Sequence, residues 1–441
     1  MKIQNIIVNE EAMKTPGAIL VGLMHGNISD SKFERSMNEL EALTGACDLE
    51  VKGTITQTLP HPEHGTFIGS GKVEELKNLI NMLDADIVIF GDTLSPIQIR
   101  NLENILDTEV IDRTGLILQI FAKRARTRES RMQVEYAQLQ FMLPRLAGMR
   151  TELSRQGGGS GRLSNKGAGE KKLELDRRRI EKRMAELRRE LEAVERERDT
   201  QRSKRMSGDI PRISLVGYTN AGKSTLLNAM LMKSHADNAE SKMVLQKDML
   251  FATLDTTVRR IDMPGHKPFL LSDTVGFIDD LPTTLVKAFR STLSEAVYAD
   301  LLLEVIDFSD PDYLTQIEVT EKTLRDIGAG EIPTIYVFNK ADVVIGSSEH
   351  AAMTIPHVRN DRIYMSAENM IGLDELINLI EKTLEGERIN AEFLIPYSDG
   401  QALHDISTRS DVIETEYTEE GTHLTVKCSK KMIIDYMSYT I

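Results

Sequence analysis

Residues Gly217–Thr225 read GYTNAGKST and match the phosphate-binding pattern G-x-x-x-x-G-K-[ST] at every required position. Backbone amides of such a loop surround a bound phosphate, while the lysine, here Lys223, reaches the terminal phosphates. The hydroxyl of Ser224 would ligate Mg²⁺. The pattern predicts a nucleoside triphosphate site, with a glycine-rich turn formed by chance as the alternative.

Three further stretches select the nucleotide and place its metal. In Asp273–Gly276 a carboxylate can hold Mg²⁺ through water and a glycine amide can meet the terminal phosphate. In Asn339–Asp342 a carboxylate can accept from the two N–H donors of guanine, a pair that adenine lacks. The backbone amides of Ser366–Glu368 could meet the guanine carbonyl oxygen. Together, in this order, the motifs predict a GTPase.

Short apolar stretches precede these motifs and predict the elements that position them. Arg212–Val216 is expected to be a buried strand before the phosphate loop, and Thr225–Met230 the opening of a helix after it. Phe269–Ser272, Thr334–Phe338 and Arg362–Met365 are expected to be strands that deliver the other motifs. Each motif therefore follows directly after a predicted strand.

With these motifs the chain resembles the HflX family of ribosome-associated GTPases, over roughly residues 15 to 385. The resemblance includes Phe251–Thr257 in a first switch and Asp273–Ile278 in a second. It also includes the amino-terminal stretches Phe67–Lys72 and Val110–Gly115. It implies binding to the large (50S) ribosomal subunit and ribosomal RNA, and a role in ribosome dissociation or rescue under stress. We expect the protein to be a monomer.

The motifs and the resemblance together give a set of site residues. Catalysis is expected to involve Lys223, Thr253 and Gly276, and Mg²⁺ to be held by Ser224 and Thr253. The residues expected to contact GTP or GDP are Gly217, Tyr218, Thr219, Asn220, Ala221, Gly222, Lys223, Ser224, Thr225, Phe251, Ala252, Thr253, Leu254, Asp255, Asp273, Thr274, Val275, Gly276, Asn339, Lys340, Ala341, Asp342, Ser366, Ala367 and Glu368.

Phe277 occupies the position where Ras-like enzymes carry the glutamine that orients the attacking water. An apolar ring cannot do this, so we expect slow intrinsic hydrolysis that a partner or a bound monovalent cation completes. Asn220 makes K⁺ a candidate cofactor, because several GTPases use a P-loop asparagine as a potassium ligand. The alternative is that Asn220 only stabilises the loop.

The predicted fold class is α/β, with four units. They are an N-terminal α/β domain with a parallel sheet (residues 1–122), a basic helical hairpin with a glycine-rich tip (123–206), the P-loop GTPase domain (207–385) and a small C-terminal αβ domain (386–441). In the first unit, composition favours a strand-to-helix turn at Gly69–Lys72, whereas the resemblance implies a second, weaker nucleotide site there. Two distant cysteines and the absence of a long apolar stretch indicate a cytoplasmic protein without a membrane span.

The formal charge of −14 is unevenly distributed along the chain. Residues 123–212 contain 25 Lys and Arg against 14 Asp and Glu. We expect one helix over Gln119–Arg150 and a long charged helix over Leu173–Arg205, whose apolar stripe pairs them as a hairpin. The apolar stripe is formed by Leu173, Ile180, Leu187, Leu191 and Val194.

The glycine-rich tip of this hairpin carries the basic residues Arg150, Arg155, Arg162 and Lys166, which could contact ribosomal RNA. The alternative is a solvated surface held by salt bridges. The family usually has Arg-Gly-Pro-Gly-Glu at the end of this loop, where Asn165–Glu170 stands here. Two other classes also stay open, namely a signalling GTPase with a protein effector and an RNA-binding module with GTP as a structural ligand.

Overall fold

Three β-sheets and a helical hairpin make up the part of the chain that the computed structural model describes, residues 15–26, 29–155, 163–206, 210–234, 251, 256–278, 295–345, 355–385 and 388–441. The strands are β1 Gly17–Met24, β2 Glu50–Thr58, β3 Ile87–Phe90, β4 Glu109–Asp112, β5 Arg212–Val216, β6 Thr257–Ile261, β7 Phe269–Asp273, β8 Leu301–Asp307, β9 Thr334–Asn339, β10 His357–Arg359, β11 Arg362–Tyr364, β12 Arg388–Ile395, β13 Asp411–Tyr417 and β14 Thr422–Ser429. The helices are α1 Asp30–Ala46, α2 Ser70–Leu83, α3 Pro96–Leu106, α4 Arg113–Arg124, α5 Arg128–Arg155, α6 Leu163–Met206, α7 Lys223–Lys233, α8 Tyr313–Ile327, α9 Ala341–Ile345, α10 Leu373–Glu385, α11 Gly400–Arg409 and α12 Lys430–Asp435.

The N-terminal sheet has four parallel strands in the order β2-β1-β3-β4, which confirms the predicted parallel α/β domain. Alternate residues of β1 enter two separate apolar clusters, so helices cover both faces of the sheet. Ala18 and Leu20 pack with α1 and α4, whereas Ile19 and Val21 pack with α2 and α3. In the stretch Gly69–Lys72, Gly69 precedes α2 and Ser70 is its first residue. Residues 59–69 connect it to β2, which ends at Thr58.

The prediction of one continuous helix over Gln119–Arg150 is wrong. α4 ends at Arg124, and Ala125 leaves the helix in an extended conformation. The Thr127 hydroxyl then accepts a hydrogen bond from the Ser130 amide at 3.1 Å, which caps the start of α5. The side chain thus competes with the backbone hydrogen bonds that would continue α4.

α5 and α6 pack side by side as the predicted helical hairpin. Leu187 in the apolar stripe is fully buried, and Arg183 forms two hydrogen bonds to Glu135 across the hairpin, at 2.7 and 2.9 Å. Arg145, ten residues before the end of α5, contacts the fully buried Asp112 at 2.8 Å. This ion pair fastens the hairpin to the N-terminal domain.

The GTPase sheet has seven strands in the order β10-β11-β9-β8-β5-β7-β6. The five central strands are parallel, while β6 and β10 pair antiparallel at the two edges. Parallel strands place their carboxyl ends at one edge of a sheet, where α/β proteins bind ligands. The loops after β5, β7, β9 and β11 therefore meet there, and these are the loops that carry the predicted motifs.

The C-terminal sheet has three antiparallel strands in the order β12-β14-β13. Its core contains Phe393 and Val426 from the strands and Ile406 from α11. The small αβ domain predicted over residues 386–441 thus begins with β12 at Arg388 and consists of this sheet and the helices packed on it. Among the described helices, none combines the length and apolar character that a membrane crossing requires.

Candidate nucleotide site

The phosphate loop connects β5 to α7, and two of its glycines are required by their surroundings. Gly217 has a φ of +134°, and a Cβ atom there would lie 2.2 Å from the carbonyl oxygen of Val305. Gly222 has a φ of +96°, and its Cβ would lie 2.2 Å from Nδ2 of Asn339. The backbone of the phosphate loop therefore lies so close to Val305 of β8 and to Asn339 of the base-binding motif that neither position has room for a side chain.

Lys223 is the first residue of α7, and its side chain folds back along the loop. Its Nζ donates to the carbonyl oxygens of Gly217 at 3.0 Å and Tyr218 at 2.6 Å. Burial lowers the pKa of Lys223 to about 8, against the opposing effect of Asp273. A phosphate beside the ammonium group would favour its charged form.

Ser224, a predicted ligand of Mg²⁺, contacts Asp273, which was predicted to hold the metal through water. The Ser224 hydroxyl donates to Oδ2 of Asp273 at 2.7 Å, and Asp273 is fully buried at the end of β7. A hydroxyl and a carboxylate are oxygen donors of the kind that Mg²⁺ takes, with phosphate and water completing its shell. The donor chemistry of this pair therefore fits Mg²⁺.

Asn339, the first residue of the base-binding motif, joins two loops of the site. Its Nδ2 donates to the carbonyl oxygen of Ala221, and its Oδ1 accepts from the amide of Ala367, both at 2.9 Å. Both polar groups of the Asn339 side chain are thus used in hydrogen bonds to the protein backbone. It fixes the phosphate loop relative to the loop after β11.

Asp342 has one carboxylate oxygen paired and one available. Oδ2 accepts from Nδ2 of Asn369 at 2.9 Å, whereas Oδ1 is buried and has no hydrogen-bond partner in the part of the chain that the structure describes. A buried acceptor without a donor is costly, and a guanine N–H would satisfy it. Sequence analysis missed Asn369, although it directly follows the motif Ser366–Glu368.

The other residues of these two loops have distinct surroundings. Lys340 Nζ contacts Oδ2 of Asp307 at 2.7 Å, and the Ser366 hydroxyl accepts from the Asn369 amide at 3.3 Å. Ala341 and Ala367 are buried, whereas Glu368 is exposed. The predicted base-binding residues therefore lie together at the ends of β9 and β11.

Comparisons with known proteins agree with this geometry. Family models match residues 34–122 (GTP-binding GTPase N-terminal), 124–205 (GTP-binding GTPase Middle Region) and 212–340 (50S ribosome-binding GTPase). The GTPase HflX of Caldanaerobacter subterraneus is 45% identical over 94% of this chain and 91% of its own length. That of Escherichia coli is 39% identical over 94% of each chain. The chain belongs to the HflX GTPase family. It is a GTPase with guanine nucleotide as its ligand, as predicted.

In this HflX chain side chains from both predicted switch segments pack against the N-terminal domain. The ring of Phe251 meets that of Phe121 in α4 edge to face, 4.8 Å between centroids. Val275 and Ile278 are buried in the same cluster. The hydroxyl of Thr274 donates to the carbonyl oxygen of Leu215 at 2.6 Å. These side chains face the protein interior, which leaves their backbone for any nucleotide contact.

Phe277 is held by the phosphate loop through its backbone and by the core through its ring. Its amide donates to the carbonyl oxygen of Gly217 at 3.1 Å, and its carbonyl accepts from the Thr219 amide at 2.8 Å. The ring is 2% exposed and packs in a cluster with Val216 and Leu302. The side chain of Phe277 is therefore part of the core, in agreement with the prediction that it cannot orient water.

Tyr218 of the phosphate loop reaches the N-terminal domain directly. Its hydroxyl donates to Oε1 of Glu39 in α1 at 2.5 Å, and Oε2 of Glu39 pairs with the buried Arg113 at 2.5 Å. This connection was not predicted, because Tyr218 and Glu39 lie 179 residues apart. No local pattern in the sequence signals it.

Several predicted residues lie outside the described part. They are Ala252, Thr253, Leu254 and Asp255 of the first switch, and Arg162 of the hairpin. Arg150, Arg155 and Lys166 lie in α5 and α6, but their side chains are not described. The roles assigned to these residues stay predictions.

Proposed function

We propose that this GTPase binds the large ribosomal subunit, uses its nucleotide state to control docking, and promotes ribosome dissociation or rescue under stress. The description of the matched family model, 50S ribosome-binding GTPase, supports the partner. In this proposal the protein acts as a cytoplasmic monomer. The chain has four units, bounded at residues 122, 206 and 385, and in this proposal docking and GTP hydrolysis belong to different units.

The distribution of charge along the hairpin carries the proposal of an RNA contact. Residues 174–197 of α6 contain eight basic and eight acidic residues. Several of them form pairs one turn apart, such as Arg177 with Glu181 at 2.8 Å and Arg188 with Glu192 at 3.1 Å. This part of the helix is electrically balanced, as expected of a solvated surface.

Residues 146–172 differ from that balanced segment. They contain six basic and only two acidic residues, with six glycines in 157–161 and 167–169. A glycine-rich stretch lets backbones approach closely, and basic groups neutralise phosphate. We therefore assign the ribosomal RNA contact to the region that joins α5 to α6.

At the nucleotide, we assign the motif residues the following roles. Lys223 stabilises charge on the terminal phosphates, the Gly276 amide contacts the terminal phosphate, and Asp342 accepts from guanine. Ser224 and Thr253 would ligate Mg²⁺, with Asp273 acting through water, and the metal would neutralise phosphate charge when bound. Guanine selectivity and phosphate binding thus come from separate loops at one sheet edge.

The attacking water needs a group that this chain does not offer at position 277. The ring of Phe277 is buried in the core, so the ribosome or a monovalent cation held by Asn220 must complete the site. Asn220 is exposed and has a φ of +63° at the outer bend of the loop. Slow hydrolysis by the isolated protein and faster hydrolysis on the ribosome follow from this arrangement.

Sedimentation through sucrose gradients tests the proposal. The full chain is mixed with purified large subunits in the presence of GTP, GDP or a non-hydrolysable GTP analogue. We expect co-sedimentation that depends on the nucleotide and stimulation of GTP hydrolysis by subunits. Absence of both with every nucleotide would refute ribosome binding.

The RNA contact is tested with a charge-matched pair of variants. The first replaces Arg150, Arg155, Arg162 and Lys166 by Ala, and the control replaces Arg177, Arg178, Arg179 and Arg188. Each lost phosphate contact should lower the log-log salt slope of ribosome binding by about 0.7 to 0.9. Only the first variant should show this loss, and both should keep GTP affinity. Equal behaviour of the two variants would remove the RNA contact from this region.

A further inference from the structure

The C-terminal sheet leaves one of its edges open. β12, at one edge, is covered by the chain end, through a bridge between Phe393 and Thr440 and a hydrogen bond from the Ile441 amide to the carbonyl oxygen of Glu392. β13 forms the opposite edge, and no strand or bridge within the described residues pairs with its outer side. An open edge strand offers backbone donors and acceptors to another chain.

β13 is exposed along its whole length, as is the three-residue edge strand β10. Val412, Ile413 and Tyr417 are 42%, 57% and 77% exposed. The strands β1 and β3, by contrast, are buried almost throughout. β13 therefore keeps apolar side chains in solvent along a free edge.

The register of β13 on β14 sorts its side chains onto two faces, because opposite residues point to the same face. Val412 lies opposite the buried Val426, and Thr415 opposite the buried Leu424, so they occupy the core side of the sheet. Tyr417 lies opposite Thr422 and belongs to the same side. A strand added to this edge would meet apolar groups on that face.

The other face of β13 is acidic. Glu414 lies opposite Thr425, and Glu416 lies opposite His423, on the side away from the core. The stretch 411–421 contains five acidic residues and no Lys or Arg. A strand added here would therefore meet carboxylates at every second position.

We infer that β13 binds an extended, basic protein segment as an added antiparallel or parallel strand, with apolar and basic residues alternating along that segment. Backbone hydrogen bonds supply the pairing, and alternate side chains supply the selection. Lys or Arg would face Glu414 and Glu416, while apolar residues would face Val412 and Tyr417. This inference rests on the proposed function, because it places the segment on a protein of the large ribosomal subunit.

Two other occupants fit the edge less well. A second copy of this chain would set β13 against itself and bring like charges into opposition, which destabilises cross-strand pairs. RNA would bring phosphates against five carboxylates.

A photo-crosslinking amino acid placed at Ile413 tests the inference, with the same group at Ile434 of α12 as the control. Both positions are exposed, at 57% and 71%, but Ile434 is not on the edge strand. Each full-length variant is irradiated with purified large subunits under conditions where it co-sediments. We expect the group at 413 to cross-link to one ribosomal protein, at a segment that alternates basic and apolar residues.

Charge reversal supplies the second arm. Glu414→Lys with Glu416→Lys should lower the cross-link yield about tenfold, because each attraction becomes a repulsion. Glu41→Lys with Glu74→Lys makes the same change in charge at exposed positions of the N-terminal domain and should leave the yield unchanged. Cross-links at 413 to ribosomal RNA, to another copy of this chain, or to nothing while the protein co-sediments would overturn the inference alone. Failure to co-sediment at all would overturn it together with the proposed function.

Discussion

The contact between Asn369 and Asp342 makes a quantitative prediction about guanine selectivity. Asp342→Asn replaces an acceptor by a donor opposite the two N–H groups of guanine. Loss of two charge-assisted hydrogen bonds, each about 1.5–3 kcal/mol, should weaken GTP binding by about 10²- to 10⁴-fold. The same variant should gain xanthosine triphosphate, whose base offers an acceptor to the new amide.

Asn369→Ala removes only the 2.9 Å hydrogen bond to Oδ2 and leaves the carboxylate in place. The partner of this bond is half-exposed, so we expect a loss of about 1 kcal/mol, or about fivefold in GTP affinity. If Asn369 acts by orienting Asp342, the double variant should bind GTP about as weakly as Asp342→Asn alone.

Calorimetric titration of the four proteins with GTP, GDP and xanthosine triphosphate measures this cycle. Full additivity of the two losses would show that Asn369 acts independently of Asp342. Wild-type GTP affinity in Asp342→Asn would remove Asp342 from the site. Binding of ATP serves as the control and should stay negligible in all four proteins.

Three further predictions concern the metal, the monovalent cation and a buried acid. Ser224→Ala should raise the Mg²⁺ concentration for half-maximal GTP hydrolysis at least about tenfold, and an unchanged Mg²⁺ titration would contradict its role. If Asn220 holds a cation, hydrolysis should be faster in K⁺ than in Na⁺ at equal ionic strength, and Asn220→Ala should remove that difference; equal rates in the wild type would exclude the cation. Burial, with Glu321 nearby, raises the pKa of Glu304 in β8 to about 8, so stability should fall as pH rises from about 4.5 to about 8. Glu304→Gln should abolish this loss in the free energy of unfolding, which is on the order of 4 kcal/mol. An equal change in melting temperature between pH 6 and pH 8.5 in the wild type and the variant would refute it.

The phosphate and base loops could be predicted from the sequence because each is contiguous and follows an apolar strand. Gly217 and Gly222 are required by backbone geometry that a short motif specifies completely. Strand β2 was missed because polar residues interrupt it and much of it is exposed. The break at Ala125 was missed because its cause is a single capping hydroxyl, that of Thr127, within a stretch of helix-forming residues.

Contacts between distant segments could not be predicted at all. Glu39 and Arg113 are separated by 74 residues, and Phe121 and Phe251 by a whole domain of sequence. Tertiary packing turns the side chains of Phe251 and Val275 toward the N-terminal domain. Neither residue type nor spacing in the sequence specifies that direction. The motifs thus indicated where GTP binds but not what the switches pack against.

The hairpin connects the switches to the region that joins α5 to α6. With 44 residues, α6 extends about 66 Å at 1.5 Å per residue. Arg145, which pairs with Asp112 of the N-terminal domain, lies ten residues before the end of α5, or about 15 Å from it. A rotation of that domain by about 5° would therefore carry the end of α5 through only about 1 Å. Phe251, Val275 and Ile278 share one apolar cluster with Val134 and Ala137 of α5, so a rearrangement of the switches would reach the hairpin through direct packing.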